Sequence, residues 1–358
     1  MSKHKIALIN ILILLGFLIA IEGAIFARRY FTSCFNKEKC NFESDVMLII
    51  DSHFSKLGLT VQDEILGYKP RPLFSKRINN QTGWPDVSVN IDKYGFRQSF
   101  KPFNPEDSKK RYVLTVGDSF TFGSQVSDEE TWQSCLNKKQ DQYIFVNAGV
   151  FAYGTAQSVL RAEELLKSYD FDGVIISTLV GHNFTRDKYL YKWGFPRPTI
   201  NLKNNELIIK KPSFNRPGSK YSKYEPSLLD KIIASSFFVS KINPSYRKKV
   251  SNIIDIIDKE SIGTDELIKW ATKKSKSLSP NVYWLLQYTN ELSQADKEER
   301  FFIKGALELE ELNTIDTYKN LHGDSRSFVD NKRIWNGHHT ALGNNIVCEL
   351  ILNSKLFG

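Results

Sequence analysis

Short apolar runs that stop at a glycine or a loop, with helix-spaced stretches between them, constrain this chain more than any other feature. Residues 111–116 (RYVLTV), 143–146, 174–179 and 281–286 are such runs, rich in β-branched side chains, and each reads as a buried strand. Residues 155–168 (TAQSVLRAEELLKS) space their apolar positions as a helix does, and 341–352 form a closing amphipathic helix after Thr340. Strands alternating with helices imply parallel βαβ units in a sheet covered on both faces. The chain has 358 residues, room for one large domain or two small ones. Its 41% hydrophobic and 25% charged content excludes a mainly disordered chain. Four cysteines without a CxxC pair exclude a disulfide scaffold or a zinc knuckle, and no repeat suggests a solenoid.

Residues 6–27 (IALINILILLGFLIAIEGAIFA) are 22 mostly apolar positions, and a bilayer-crossing helix needs about 20. Lys3 and Lys5 precede the stretch and Arg28 and Arg29 follow it, so flanking charge leaves its orientation open. A cleaved signal peptide is the rival reading, but the run is long for one and ends without a good cleavage site. The expected organisation is a membrane anchor at 1–30, a juxtamembrane segment at 31–110 and an α/β domain at 111–358. Within 31–110, residues 87–91 alternate like an edge strand that Tyr94-Gly95-Phe96-Arg97 closes with a turn. Cys34 and Cys40 could close a small disulfide loop outside the cytoplasm, or remain two thiols.

An insertion at about 186–250 interrupts the alternation. It holds 15 Lys/Arg against 4 Asp/Glu, which leaves the remainder near −2 in a chain of net charge +9. Tyrosines and Trp193 are interspersed, and residues 199–202 and 206–210 flank Lys203-Asn204-Asn205 as a hairpin would. A solvated surface lobe, a groove for an anionic polymer and contact with acidic lipid headgroups all remain open. Nucleic acid is not an expected partner of a domain held outside the cell.

Gly117-Asp118-Ser119-Phe120-Thr121-Phe122-Gly123 follows the first strand directly. A serine in a strand-to-helix turn displays its hydroxyl at the sheet rim, and free N–H groups of the helix start favour an oxyanion there. The stretch VGDSFTFGSQVSDEETW resembles the first block of the SGNH/GDSL hydrolases, in particular anchored bacterial envelope members, whose VNIDKYGFR-like turn also recurs here. The resemblance covers roughly 85–185 and 280–350. It implies a three-layer α/β/α flavodoxin-like parallel sheet and four blocks holding Ser, Gly, Asn and His.

By this resemblance Ser119 is the nucleophile, and Gly149 in Val146-Asn147-Ala148-Gly149-Val150 is an oxyanion donor. The third block departs from the family's Gly-x-Asn-Asp or Gly-Asn-Asp, reading Val180-Gly181-His182-Asn183-Phe184. One register makes Asn183 the donor. The other, slightly favoured by strand length, puts His182 there. In Trp335-Asn336-Gly337-His338-His339, His338 is the base, since Gly343 lies five residues beyond it, and His339 is the fallback. Asn336 stands where the acid would be, and Asp324 or Asp330 could substitute only if the loop folds back.

The expected function is a membrane-anchored serine esterase, acyl hydrolase or O-acyltransferase working through a Ser–His dyad. Its expected substrate is an acylated carbohydrate or other ester, with Asp118, Trp193, Lys210 and Lys211 as candidates to hold it. No cofactor or metal is implied. The alternative is an impaired protein of the same fold that binds envelope glycan or an assembly partner.

Overall fold

The computed structural model describes residues 16–28, 58–78, 86–192, 195–203, 206–213, 228–236, 243, 256–322 and 333–354. The chain divides into two compact units. The first holds Met1–Leu59, Leu190–Pro196 and Ser213–Ile257. Its described parts include a helix at 16–28, a helix Leu228–Ser235 and the short strands Phe195–Pro196 and Ile256–Ile257. Among the described residues no helix is long and apolar enough to cross a membrane; residues 6–15 of the apolar stretch lie outside them.

The second unit holds Thr60–Tyr189, Arg197–Pro212 and Asp258–Gly358. It opens with two antiparallel pairs, β1 (Thr60–Asp63) with β2 (Gly67–Pro70), and β3 (Ser75–Ile78) with β4 (Val87–Asn90). The stretch expected to be juxtamembrane thus belongs, from Thr60 on, to the unit that carries the main sheet. The reason is visible at Arg97, whose N–H donates to Asn147 O (2.9 Å) and ties the segment to the strand ending there.

The main sheet contains β5 (Tyr112–Val116), β6 (Ile144–Asn147), β7 (Gly173–Leu179), β10 (Val282–Gln287) and β11 (Asn313–Asp316). β8 (Thr199–Lys203) and β9 (Glu206–Lys210) form the expected hairpin apart from it. All pairings in the main sheet are parallel, in the order β6-β5-β7-β10-β11. Numbered by chain position this is 2-1-3-4-5, the flavodoxin-like order, whose switch point lies between β5 and β7. β11 was absent from the sequence reading: NTID is too short and polar to show a period.

Alternate side chains of each strand enter opposite cores, as the pleat requires. Leu114, Val116, Val174, Ile176, Trp284 and Leu286 pack on one face. They meet helices α3 (Thr155–Leu166), α5 (Thr264–Lys276) and α6 (Gln294–Leu309) through Val159, Ala271 and Leu307. Val113, Phe145, Ile175, Tyr283 and Leu285 pack on the other. There they meet α2 (Trp132–Lys139) and, after the single turn α7 (Tyr318–Leu321), α8 (Ala341–Asn353), through Leu136, Val347 and Ile351. Each such side chain contributes about 1.5–3 kcal/mol by burial. Cys135 of α2 and Cys348 of α8 form a disulfide that the sequence reading did not anticipate, with Cα atoms 6.0 Å apart. Cys34 and Cys40 lie outside the described residues.

Candidate active site

Ser119 begins α1 (Ser119–Phe122), the single turn that leaves the carboxyl end of β5 at the switch point. Asp118 is its N-cap and accepts from the Phe120 N–H at 3.0 Å. Gly123 ends the turn in the left-handed region, φ 78°, where a glycine carries no Cβ penalty. Buried Arg97 closes that end: Nη1 donates to Phe122 O (2.7 Å) and Gly123 O (2.5 Å), and Nη2 to Val126 O (2.6 Å). Its Nε pairs with Asp128 at 2.8 Å. The Ser119 turn is therefore held at both ends.

The last block reaches this turn from the far end of the chain. Trp335 and His339 bridge as an antiparallel pair, and the Asn336 N–H donates to His338 O at 2.8 Å. Thr340 then caps α8 by accepting from the Gly343 N–H. In this tight turn His338 Nε2 lies 2.9 Å from Ser119 Oγ, across 219 positions of sequence. Ser119 is 6% exposed and His338 partly buried.

Among the described residues no acid meets the other nitrogen of His338. Nδ1 is buried and without a hydrogen-bond partner, while Asn336 is exposed and contributes its backbone, not its amide, to the turn. Asn336 thus does not fill the acid's place. Asp324 and Asp330 lie outside the described residues. Burial lowers the His338 pKa to about 4; the Asp118 charge opposes this and the Arg186 charge adds to it. His339 is fully enclosed, with both ring nitrogens unpartnered, its ring edge-on to Phe120 at 4.8 Å. Burial, then the nearby His338 and His322, push it to about 3. It does not reach Ser119 through any hydrogen bond among the described residues.

On the oxyanion side the structure separates the two registers. Asn183 is completely buried, and its Nδ2 has no partner. His182 is exposed and makes no capping bond to the short helix α4 (Asn183–Arg186). Of the two candidate donors, His182, the slightly favoured one, is thus the exposed residue and Asn183 the buried one. Gly181, with φ 80°, turns the chain so that the residue after His182 points inward. Phe184, where the family has Asp, joins the apolar core.

Gly149 lies beside α1, and a Cβ there would sit 2.4 Å from Phe122 N. Its lack of a side chain is thus required by the approach of the Ser119 turn. The Gly149 N–H donates to Asn147 Oδ1 at 3.1 Å.

The candidates for holding substrate do not converge. Asp118 is buried, its carboxylate engaged by Phe120 N–H and by Arg186 Nη1 at 2.8 Å. Lys210 pairs with buried Asp258 at 3.3 Å, a carboxylate that needs a counter-charge and that also accepts from Thr199 and Asn201. Lys211 is exposed, and Trp193 lies outside the described residues. Arg97 and Arg186 were missed by sequence reasoning. The one available signal for Arg186 was its spacing: three residues after Asn183, it shares a helix face with it.

Fold and site together define a flavodoxin-like α/β protein with a serine–imidazole pair at the switch point of its sheet. No family model and no curated protein matches the chain. Solved structures similar to it include a lipolytic protein of the G-D-S-L family from Desulfitobacterium hafniense, at 14% identity, TM-score 0.37, covering 69% of this chain and 100% of that one. Another is the esterase EstA from Pseudoalteromonas, at 14% identity, TM-score 0.39 and coverage of 69% and 97%. A third is a mutant of Axe2, an acetylxylan esterase from Geobacillus stearothermophilus, at 11% identity, TM-score 0.36 and coverage of 69% and 94%.

Proposed function

We propose that this chain is an ester hydrolase of the SGNH/GDSL type, using Ser119 as nucleophile and His338 as base. The observation that carries the reading is the 2.9 Å separation of Ser119 Oγ and His338 Nε2. That distance is within reach for proton transfer as the hydroxyl attacks an ester carbonyl. Negative charge then develops on the carbonyl oxygen, where the Ser119 N–H and the unpartnered Asn183 Nδ2 are the donors available. The Gly149 N–H joins them by exchanging Asn147 Oδ1 for the oxyanion. The imidazolium returns its proton to the departing alcohol, and water, or a sugar hydroxyl in a transferase, resolves the acyl-enzyme.

The pair works under a handicap. For Nε2 to accept a proton, hydrogen must sit on Nδ1, where it faces no acceptor among the described residues. A buried donor left so costs about 1–3 kcal/mol.

We place the catalytic unit outside the cytoplasm, anchored by residues 6–27. The apolar stretch supports this, as does a core disulfide of a kind rare in reducing compartments. The substrate is an acylated, anionic polysaccharide of the cell envelope, a reading supported by the excess of basic residues at 186–250.

The orphaned Nδ1 favours a second reading, a catalytically impaired protein that binds such a glycan or an assembly partner. A fluorophosphonate probe separates the two. Labelling of the folded protein that vanishes in Ser119→Ala, together with turnover of para-nitrophenyl acetate, supports the esterase. Folded protein that neither labels nor turns over leaves the binder.

A further inference from the structure

We infer that Arg186 is a positioning residue of this site, setting the orientation of the Asn183 amide. The inference rests on the esterase reading and extends it to a side chain that lies outside the four blocks.

A single nitrogen, Arg186 Nη1, donates to Asn183 Oδ1 at 2.7 Å and to Asp118 Oδ2 at 2.8 Å, with Tyr153 O at 3.3 Å. Asp118 is the neighbour of Ser119 in the chain. The guanidinium therefore joins the two blocks that must cooperate, one bearing the nucleophile and the other the amide.

The arrangement also decides which end of the amide is which. With Oδ1 held by a cation, Nδ2 is the end left over, and Nδ2 is buried with no partner. Rotation of the amide would set its NH₂ against the guanidinium, donor against donor, which a buried site does not tolerate. An amide donor kept free in the interior is costly for a fold and useful for an oxyanion.

The departure of the third block from the family pattern gives the reason for this residue. The position after Asn183, acidic in the family, is Phe184 here and belongs to the core. No acid at that position orients the amide, and the cation one helical turn along, at i+3, holds it instead. Arg186 is only partly exposed, its side chain at 13%, and Asp118 beneath it is fully enclosed, so solvent screening of the pair is weak.

The test is a double-mutant cycle on para-nitrophenyl acetate hydrolysis, using Arg186→Met, Asn183→Ala and the double variant, with Arg186→Lys as a charge-retaining control. Removing an oxyanion donor costs about 100-fold or more in kcat, so Asn183→Ala is expected to fall that far with KM little changed. Arg186→Met is expected to lose about 30-fold in kcat by misplacing the same donor. In the Asn183→Ala background it is expected to lose less than about threefold, because nothing is left to position. Arg186→Lys is expected to recover part of the loss by supplying a cation to both oxygens.

Equal losses from Arg186→Met in the two backgrounds, with Asn183→Ala itself impaired, overturn the positioning role and leave the esterase intact. An unimpaired Asn183→Ala overturns it too. Should Arg186→Met fail to fold, the cycle is run with Arg186→Lys, and additivity there overturns the role equally. A wild-type protein that neither hydrolyses ester nor reacts at Ser119 with fluorophosphonate fails the parent reading, and this one with it.

Discussion

His338 sets the working range of the proposed reaction. Its pKa is lowered to about 4 by burial. The base is the neutral imidazole, so kcat/KM is expected to climb tenfold per pH unit below about pH 4 and to level above it. A limb near pH 6.5, the ordinary imidazole value, would mean that the ring is solvated or acid-supported in solution. Asn336→Asp tests the same residue from its other side. An aspartate that turns in to Nδ1 holds the productive tautomer and stabilises the imidazolium. In serine proteases the reverse change costs about 10⁴ in rate. Because Asn336 is exposed here, a smaller gain is expected, between about 10- and 100-fold. The acid limb should move up as the new negative charge raises the pKa. An unchanged rate and limb would show that this turn cannot deliver a side chain to the ring. By the family resemblance, position 336 is legible as the place where the acid would stand. Its outward setting is not, because that depends on how the turn between Trp335 and His339 closes.

Among elements, α8 matters most to the site, since it follows the His338 turn directly and carries Cys348. The bond to Cys135 ties it to α2, the helix that leads from the nucleophile's turn back into the sheet. The bond spans 213 positions, and a closure of that length is worth about 5 kcal/mol in the chain-entropy account. The Cys135→Ser/Cys348→Ser double variant is expected to lose about 3–5 kcal/mol in urea denaturation, with reduced wild type behaving alike. An identical midpoint with and without reductant would mean that the two helices are held by packing alone. Neither cysteine announced its partner in the sequence. A pairing between positions 135 and 348 becomes visible only once both helices lie on the same face of the sheet. β11 escaped notice for a related reason: an edge strand with one well-buried side chain, Ile315, has no pattern of its own. The inner strands were legible because both their faces are covered, which makes them continuous apolar runs.

For the molecule as a whole, the testable property is where it works. If residues 6–27 anchor it, the full chain is expected to sediment with membranes and to resist extraction by high salt or carbonate, while a detergent releases it. In intact cells a thiol reagent should leave Cys135 and Cys348 unmodified until a reductant is added. Release by salt alone, or free thiols in rapidly quenched cells, would remove the proposed location. The sequence by itself determined the parallel α/β class and the positions of four of the five main-sheet strands. It also singled out the serine after the first strand and the histidine near the end. These are local signals: burial on both faces writes apolar runs, and a turn writes its glycine. Only the tertiary structure decided that Asn183, not His182, faces inward, that Arg97 and Arg186 brace the site, and that no acid among the described residues meets the His338 ring. Those facts depend on which groups the packing brings together, and a buried polar group takes whatever partner it meets there.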